Sequence, residues 1–181
     1  MKQGKLPADR VLRFMFADDG VVPNNPALPL LIYRGAFDLA KERSPEARIE
    51  RTFKSNRWGD CWRYGIYPYT HYHSEIHEVL GVARGTARVQ FGGDRGTALD
   101  LAPGDVAILP AGTGHRCLSA SPDFCVVGAY PAQGRFTLFR TSAAEHAAAL
   151  GTIARTPLPD TDPVYGADGP LRDAWNAGRA A

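Results

Sequence analysis

The 181-residue chain has few cysteines, no long apolar run and little excess charge of either sign. Its three cysteines are an odd number without a C-x-x-C spacing, so we expect free thiols and a cytoplasmic location. No apolar run approaches the roughly 18 residues of a membrane helix, and we expect no secretory signal. The formal net charge is +2, without a basic block, which argues against nucleic acid or a membrane as partner.

Short β-type runs separated by glycine and proline dominate the middle of the chain. The predicted strands cover residues 63–73, 76–84, 86–91, 97–101, 105–109, 115–119, 124–130 and 135–140. Regularly spaced short strands with turn signals between them predict an all-β sandwich or barrel. Two helices are predicted outside this region, one over 45–56 after an N-cap at Ser44 and one over 142–154 capped by Ser142.

The segments that flank the barrel carry their own apolar residues. Val11–Phe16 and residues 30–37 read as two further short β segments. The tail after residue 155 is rich in proline and glycine but keeps large apolar side chains, so we expect it to lie against the barrel or a partner subunit. The chain is predicted as one structural domain with three parts. These are the arm and helix at 1–60, the barrel core at 61–140, and the C-terminal helix and tail at 141–181.

Three of the five histidines lie within seven positions. On a strand, residues i and i+2 face the same way, so His71 and His73 are expected to project from one face. Glu78 follows past a turn, where a returning strand can bring its carboxylate beside them. Two imidazoles and a carboxylate suit a divalent transition metal and leave positions open. A further ligand is expected from His115, which ends the turn PAGTGH, rather than from His146 in the alanine-rich helix.

These residues resemble the two signature motifs of the cupin superfamily. The first motif, G-x5-H-x-H-x4-E-x6-G, is matched by Gly65, His71, His73, Glu78 and Gly85. The second, G-x5-P-x-G-x2-H-x3-N, is matched by Gly104, Pro110, Gly112 and His115, with Ser119 in place of the asparagine. The wider chain resembles the YjlB-like cupins of bacteria and fungi through phrases such as DDGVVPNNPALPLLIYRGAF and GDVAILPAGTGHRCL.

The resemblance implies an all-β double-stranded β-helix, a jelly-roll cupin barrel with short helical additions at both ends. It implies one divalent transition-metal ion (Fe, Mn, Ni, Zn or Co). The metal ligands that it implies are His71, His73, Glu78 and His115. Cupins often dimerise through their first strands, so we expect a homodimer formed by the apolar arm, Val11–Phe16 and Leu28–Tyr33.

In cupins this site serves oxygenases, isomerases, decarboxylases, binding modules and sensor domains, so the fold leaves the reaction open. We expect a small metalloenzyme of oxygenase or isomerase type that acts on a small polar organic molecule. No catalytic acid–base pair is identified; Glu75 and Tyr69 are the nearest candidates. Two alternatives stay open. One is a non-catalytic, metal-dependent binding or sensing module, and the other is a structural ion without an exchangeable position.

Side chains near the predicted ligands have both a functional and a structural interpretation. Tyr67 and Tyr69 share the strand parity of the first two histidines and are pocket candidates, with ordinary barrel packing as the alternative. Cys117 shares the parity of the last histidine and is a third pocket candidate, with a small buried hydrophobe as the alternative. His77 has the opposite parity to the glutamate, so we expect it at the surface or an interface.

Overall fold

A computed structural model of the chain describes residues 6–177. Within these residues nine β-strands form two antiparallel sheets. The strands are β1 (Val11–Phe14), β2 (Leu30–Tyr33), β3 (Trp58–Tyr64), β4 (Glu78–Arg84), β5 (Ala87–Phe91), β6 (Thr97–Leu101), β7 (Val106–Leu109), β8 (His115–Ala120) and β9 (Cys125–Pro131). The α-helices of this part are α1 (Pro45–Ser55), α2 (Ala143–Ile153) and α3 (Pro170–Ala177).

The chain crosses between the two sheets several times. The larger sheet has the strand order β1-β2-β7-β4-β9-β3, and the smaller sheet has the order β6-β5-β8. After β4 the chain enters the smaller sheet for β5 and β6, returns for β7, leaves for β8 and returns for β9. All of these neighbours pair antiparallel. The arrangement is a double-stranded β-helix of the jelly-roll type, so the predicted fold class is confirmed.

One apolar core lies between the two sheets. Ile32 and Leu80 of the larger sheet pack in a cluster with Val89 and Phe91 of the smaller sheet, and all four are buried. Because side chains alternate along a strand, the intervening residues of the larger sheet face the other way. That second face is also apolar, which explains why β2, β4 and β7 read as continuous hydrophobic runs.

The second face of the larger sheet is covered by α1 and by the C-terminal tail. Ile49 and Phe53, one helical turn apart on α1, are buried in the same cluster as Trp175 of α3. A Cβ atom at Gly81 of β4 would lie 2.8 Å from Cγ2 of Ile49. Glycine at this position therefore lets α1 approach the sheet closely. The tail lies on the barrel, and the indole of Trp175 donates a hydrogen bond to the carbonyl of Pro29 at 2.9 Å.

The two predicted helices are confirmed, with one difference at a cap. Ser142 and Glu145 form a capping box at the start of α2. Ser44 is the N-cap residue of α1 and Pro45 begins the helix, as predicted, but the side chain of Ser44 makes no capping hydrogen bond. The third helix, α3, was not predicted. It forms within a tail rich in proline and glycine, where burial of Leu171 and Trp175 against the sheet stabilises it.

The predicted strand 63–73 is mostly absent, and the predicted strand 135–140 does not form. β3 ends at Tyr64, and residues 65–77 contain only isolated bridges. His71 bridges to His115 while the next residue, Tyr72, bridges to Phe139. Because adjacent residues pair with different segments, no continuous ladder forms. The same exchange of partners leaves residues 135–140 without a strand.

The N-terminal arm divides into an edge strand and a buried strand. β2 lies between β1 and β7, and all four of its residues are buried. Leu28 is buried as well, so Leu28–Tyr33 offer no surface to a second copy, contrary to the prediction. β1 is at the edge of the sheet, so its free edge remains available for pairing with a second copy. None of the α-helices within residues 6–177 has the length and hydrophobicity of a transmembrane span.

Candidate metal centre

The four predicted ligands meet in the interior at one end of the barrel. Glu78 begins β4 and His115 begins β8. His71 and His73 come from the irregular segment 65–77, which two backbone hydrogen bonds hold against His115. The four side chains are buried. The ring centroids of His71 and His115 are 4.1 Å apart, so residues from three separate parts of the sequence form one cluster.

Each of the three histidines turns its Nδ1 atom toward a backbone carbonyl. The carbonyl oxygens belong to Tyr69 for His71 (3.1 Å), Thr137 for His73, and Thr113 for His115 (3.3 Å). A carbonyl oxygen only accepts hydrogen bonds, so Nδ1 carries the proton and donates it. Nε2 of each ring then holds a lone pair. This is the tautomer of a metal-ligating histidine, whose other ring nitrogen donates to a carbonyl or carboxylate.

Glu78 faces two of these Nε2 atoms. Its Oε1 lies 3.4 Å from Nε2 of His73, and its Oε2 lies 3.4 Å from Nε2 of His115. Among the described residues, Oε2 of Glu78 has no hydrogen-bond partner although it is buried. In the tautomer set by the carbonyls, lone pairs face lone pairs across both gaps. Such an arrangement is unfavourable unless a proton or a cation stands between the atoms.

Burial and mutual charge shift the pKa values of the cluster in different directions. Burial, with His115 as the next cause, lowers the pKa of His71 to about 3, so this ring is neutral at pH 7. Burial opposes the charged form of His73, but the carboxylate of Glu78 outweighs it and the pKa of His73 rises. Burial likewise opposes ionised Glu78, yet His73 and His115 outweigh it and hold the pKa of this carboxyl low. The cluster therefore keeps an ionised carboxylate among imidazoles.

The donor set fits a divalent transition metal in its chemistry. Three imidazoles, which bind metals in their neutral form, and one carboxylate are suitable ligands for Mn, Fe, Co, Ni or Zn. A cation between Glu78 and the histidine Nε2 atoms would give the unpartnered Oε2 atom a partner and would separate the facing lone pairs. As the side chains stand, however, no group of three or more His, Cys, Asp or Glu in residues 6–177 is arranged to hold a metal ion. The metal centre accordingly stays a prediction.

A cavity of about 330 Å³ opens from the cluster to the surface. The predicted ligands form its polar part. The remaining lining residues are Trp62, Tyr64, Gly65, Ile66, Tyr67, Leu80, Tyr130, Phe136 and Leu138. Its volume lies within the range of small-molecule sites, which are concave, mostly apolar and carry a few polar groups.

Two strands of the larger sheet shape one wall of this cavity. The register between β3 and β9 shifts between Gly59 and Trp62, which re-aims the indole of Trp62. Gly128 lies opposite, and a Cβ atom there would come within 2.1 Å of the indole ring. The indole N–H donates to the hydroxyl of Tyr130 at 3.1 Å. Burial, with Glu78 as the next cause, raises the pKa of Tyr130, so its hydroxyl stays protonated.

The pocket candidates fall in different places. Tyr67 lines the cavity. Tyr69 lies behind it, with ring centroids 4.9 Å apart, and the guanidinium of Arg140 stacks on its other side at 4.2 Å. Cys117 packs against the core between the sheets, where it pairs with Val89 of β5. Of the described residues, neither Tyr69 nor Cys117 is among those that line the cavity.

His77 is buried, contrary to the prediction from the sequence. Its side chain is fully buried, whereas the surface or an interface was predicted. Nδ1 of His77 accepts the N–H of Ala111 at 2.9 Å, and its ring lies 4.7 Å from that of Trp175. The prediction that it points away from the ligands holds. The error arose because the opposite face of this region is covered by the tail rather than by water.

Sequence reasoning missed most of the cavity wall. Trp62, Tyr130, Phe136 and Leu138 all line it. The motifs carry no signal for them, since they lie outside both. Strand parity gives one signal in β9: Tyr130 has the same parity as Gly128, so a large and a small side chain share one face of this strand.

Comparison with known proteins identifies the relatives of the chain. No family model matches it. It is 38% identical over 162 residues to the uncharacterised protein YjlB of Bacillus subtilis (strain 168), a match that covers 90% of this chain and 94% of the relative.

Solved structures show more distant likenesses. An uncharacterised conserved protein with a double-stranded β-helix domain from Klebsiella pneumoniae has a TM-score of 0.37 at 15% identity, over 77% of this chain and 85% of the other. An oxalate decarboxylase has a TM-score of 0.34 at 18% identity, over 62% of this chain and 27% of the other. Neither likeness bears on the reaction. The identity and coverage of the YjlB match, together with the two motifs and the fold, place this chain in the YjlB-like cupin family.

Proposed function

We propose that the chain is a metal-dependent cupin, in which His71, His73, Glu78 and His115 hold one divalent transition-metal ion. The cavity above them binds a small organic molecule for chemistry of the oxygenase or isomerase type. One observation carries the proposal. Three imidazoles are held as Nδ1–H tautomers by backbone carbonyls while their Nε2 atoms surround a carboxylate with an unpartnered oxygen.

The residues of the chain have distinct tasks in this proposal. The carbonyls fix the three rings, so the metal binds to preset nitrogen atoms. Glu78 supplies the negative charge that a divalent ion needs. The aromatic walls exclude water and position the ligand. The bound ion would supply Lewis acidity, which polarises a carbonyl or hydroxyl oxygen or lowers the pKa of a coordinated water.

Elemental analysis by mass spectrometry tests the metal site. Untagged protein purified without chelator is expected to carry about one equivalent of metal per chain, the stoichiometry of a single site. The His71→Ala/His115→Ala variant is expected to lose it. His146→Ala is the matched control, because His146 bonds to Asp18 on the surface and has no part in the cluster. Metal absent from the wild type even after reloading, or retained by the double variant, would contradict the proposal.

A specific observation also supports a second function, a non-catalytic binding module. Apart from the four predicted ligands, the titratable side chains that line the cavity in the described structure are tyrosines. No dedicated carboxylate or histidine is left over for general acid–base catalysis. Oxygen uptake and isomerase assays of the metal-loaded protein separate the two functions. Tight ligand binding with no turnover of a broad substrate panel would favour the binding module.

The cellular setting and assembly are also proposed. The three cysteines are free thiols, which supports a reducing compartment such as the cytoplasm. β1 is an edge strand with Met15 exposed beside it, which supports a homodimer that pairs these edges. Size-exclusion chromatography with light scattering is expected to give twice the chain mass of 19.6 kDa. A clean monomer would contradict the dimer.

A further inference from the structure

Exposed aromatic and aliphatic side chains gather at the mouth of the cavity. Tyr64 is 67% exposed and Phe136 is 56% exposed, and both line the opening. Tyr67 and Leu138 line it as well and are also among the large exposed apolar residues. Half of the large exposed apolar side chains in the described structure thus surround one opening. An apolar rim of this kind marks a binding surface, since burying it on a ligand is favourable.

The deeper walls continue the same chemistry. Trp62, Ile66, Leu80 and Tyr130 also line the cavity and are less exposed than the rim residues. Of the polar groups on these deeper walls, the indole N–H of Trp62 donates to the hydroxyl of Tyr130. The rings of Phe136 and Tyr130 are 5.5 Å apart and nearly perpendicular, and that of Phe136 is 5.1 Å from His73. A flat ring in the cavity would meet aromatic faces and edges, the arrangement that aromatic pairs prefer.

Positive charge is missing from the lining. None of the residues that line the cavity in the described structure is lysine or arginine. Arg135, beside Phe136 in sequence, pairs with Glu75 at 2.7 Å. Arg140 stacks on Tyr69 outside the cavity. The planar fork of arginine is the usual partner of a carboxylate, and the lining offers neither arginine nor lysine for such a contact. A dicarboxylate therefore finds no guanidinium or ammonium group on the walls, and it meets the ionised carboxylate of Glu78.

We propose that the cavity selects an uncharged, ring-bearing small molecule with oxygen donors at one end, and discriminates against small dianions. The ring lies among Trp62, Tyr130 and Phe136, and the oxygen-bearing end points toward the histidine–glutamate cluster. This inference rests on the proposed function, because the cluster with its metal is what the oxygen end meets. It narrows that function from small organic molecules in general to amphipathic, aromatic ones.

Three probes separate ring recognition from charge recognition. Catechol is an uncharged ring with adjacent hydroxyls at neutral pH, phthalate is the same ring with two carboxylates, and oxalate is a dicarboxylate without a ring. Binding to zinc-loaded and metal-free protein is measured by calorimetry and by quenching of tryptophan fluorescence. Zinc is chosen because it has no redox chemistry. Metal content is measured before and after each titration, so that removal of zinc by oxalate is not counted as binding.

Variants at the rim test the wall itself. Phe136→Ala is expected to weaken catechol binding about threefold to tenfold, the scale of one lost aromatic contact. Leu150→Ala is the matched control, an equally exposed apolar residue on α2 that does not line the cavity, and is expected to change nothing. Leu138→Lys places a cation at the mouth and is expected to strengthen phthalate binding. Both rim side chains are more than a third exposed, so the fold is expected to tolerate the changes.

The outcomes distinguish this inference from the proposed function. The inference is supported if the affinity for catechol is at least about tenfold higher than that for either dianion. It also requires that Phe136→Ala weakens catechol binding and that Leu150→Ala does not. Either dianion binding as tightly as catechol, no catechol binding, or no effect of Phe136→Ala would overturn it. If zinc is bound at one equivalent in that case, the proposed metal site survives. If the wild type takes up no zinc, the metal site fails, and catechol binding to the metal-free cavity still decides whether the walls select a ring.

Discussion

Two buried carboxylates in this molecule have opposite surroundings. Glu78, in the cavity, has an oxygen without a hydrogen-bond partner among the described residues and faces imidazole nitrogens. Asp162, in the C-terminal tail, is fully buried and saturated. Its Oδ1 accepts the N–H groups of Val164 and Tyr165, and its Oδ2 accepts the N–H of Leu171 and the hydroxyl of Tyr33 at 2.6 Å.

The difference separates a structural acid from a candidate functional one. Burial raises the pKa of Asp162 and outweighs the opposing effect of its hydrogen bonds. The role of this carboxyl group is therefore structural: it accepts the hydrogen bonds of the surrounding N–H and O–H groups. It connects the tail to β2 through Tyr33, and this contact helps to cover the second face of the larger sheet. Within residues 6–177, the side chain of Glu78 accepts no backbone N–H group comparable to these. Burial is therefore a weak sign of function, whereas an unpartnered oxygen among three oriented imidazoles is a strong one.

The largest expected effect is on the tail. Asp162→Ala leaves three backbone N–H groups and one hydroxyl without an acceptor, and we expect a loss of about 3 to 5 kcal/mol in the free energy of unfolding. Urea denaturation followed by tryptophan fluorescence measures it. The control is Asp160→Ala, an exposed acid two residues away, for which less than about 0.5 kcal/mol is expected. Equal effects of the two changes would refute the assignment of Asp162 as a structural acid.

The matching change in the cavity is expected to cost less stability and to remove metal. Glu78→Gln is nearly isosteric, and Oε2 has no hydrogen bond to lose, although the change removes the charge that faces His73 and His115. We expect a smaller loss in the free energy of unfolding of the metal-free protein than with Asp162→Ala, while bound metal falls sharply. Urea denaturation and elemental analysis of the same sample check both parts. A loss as large as that of Asp162→Ala, with metal retained, would reverse the comparison.

The smallest effect concerns a third carboxylate, at the edge of the fold. Glu46 on α1 accepts hydrogen bonds from Arg84 on β4, which lowers its pKa below the ordinary 4.5 despite opposing burial. Because the folded pKa lies below the unfolded one, its contribution to stability is complete above pH 4.5 and is lost as the pH falls through the folded pKa. Glu46→Gln is expected to cost about 0.5 kcal/mol at pH 7, given the exposed arginine.

Unfolding curves at several pH values check this dependence. The difference between the wild type and Glu46→Gln is expected to shrink between pH 5 and pH 3, where the carboxylate becomes protonated. The control is Glu42→Gln, whose carboxylate is 3.8 Å from Arg48 and does not join α1 to the sheet. A difference that stays constant with pH would show that Glu46 acts through packing alone.

The candidate ligands could be predicted, although the strand that was expected to carry two of them does not form. Strand parity predicts His71 and His73 on one strand, whereas they lie in an irregular segment that pairs with His115. The two rings nevertheless lie near each other, with centroids 6.2 Å apart, because only one residue separates them in the sequence. The orientation of His73 depends on the carbonyl of Thr137, which is 64 residues away in the sequence.

The sequence by itself determined the fold class, the turns of the barrel and the types of side chain in the cluster, since these depend on local spacing and on residues that few other structures require. Only the tertiary structure decided the cavity walls, the burial of His77 and the partners of Asp162. Each of those depends on contacts between distant segments, such as Tyr33 with Asp162 across 129 residues. Local pattern carries no information on which distant segment covers a given face, because several apolar segments of the chain could do so equally well.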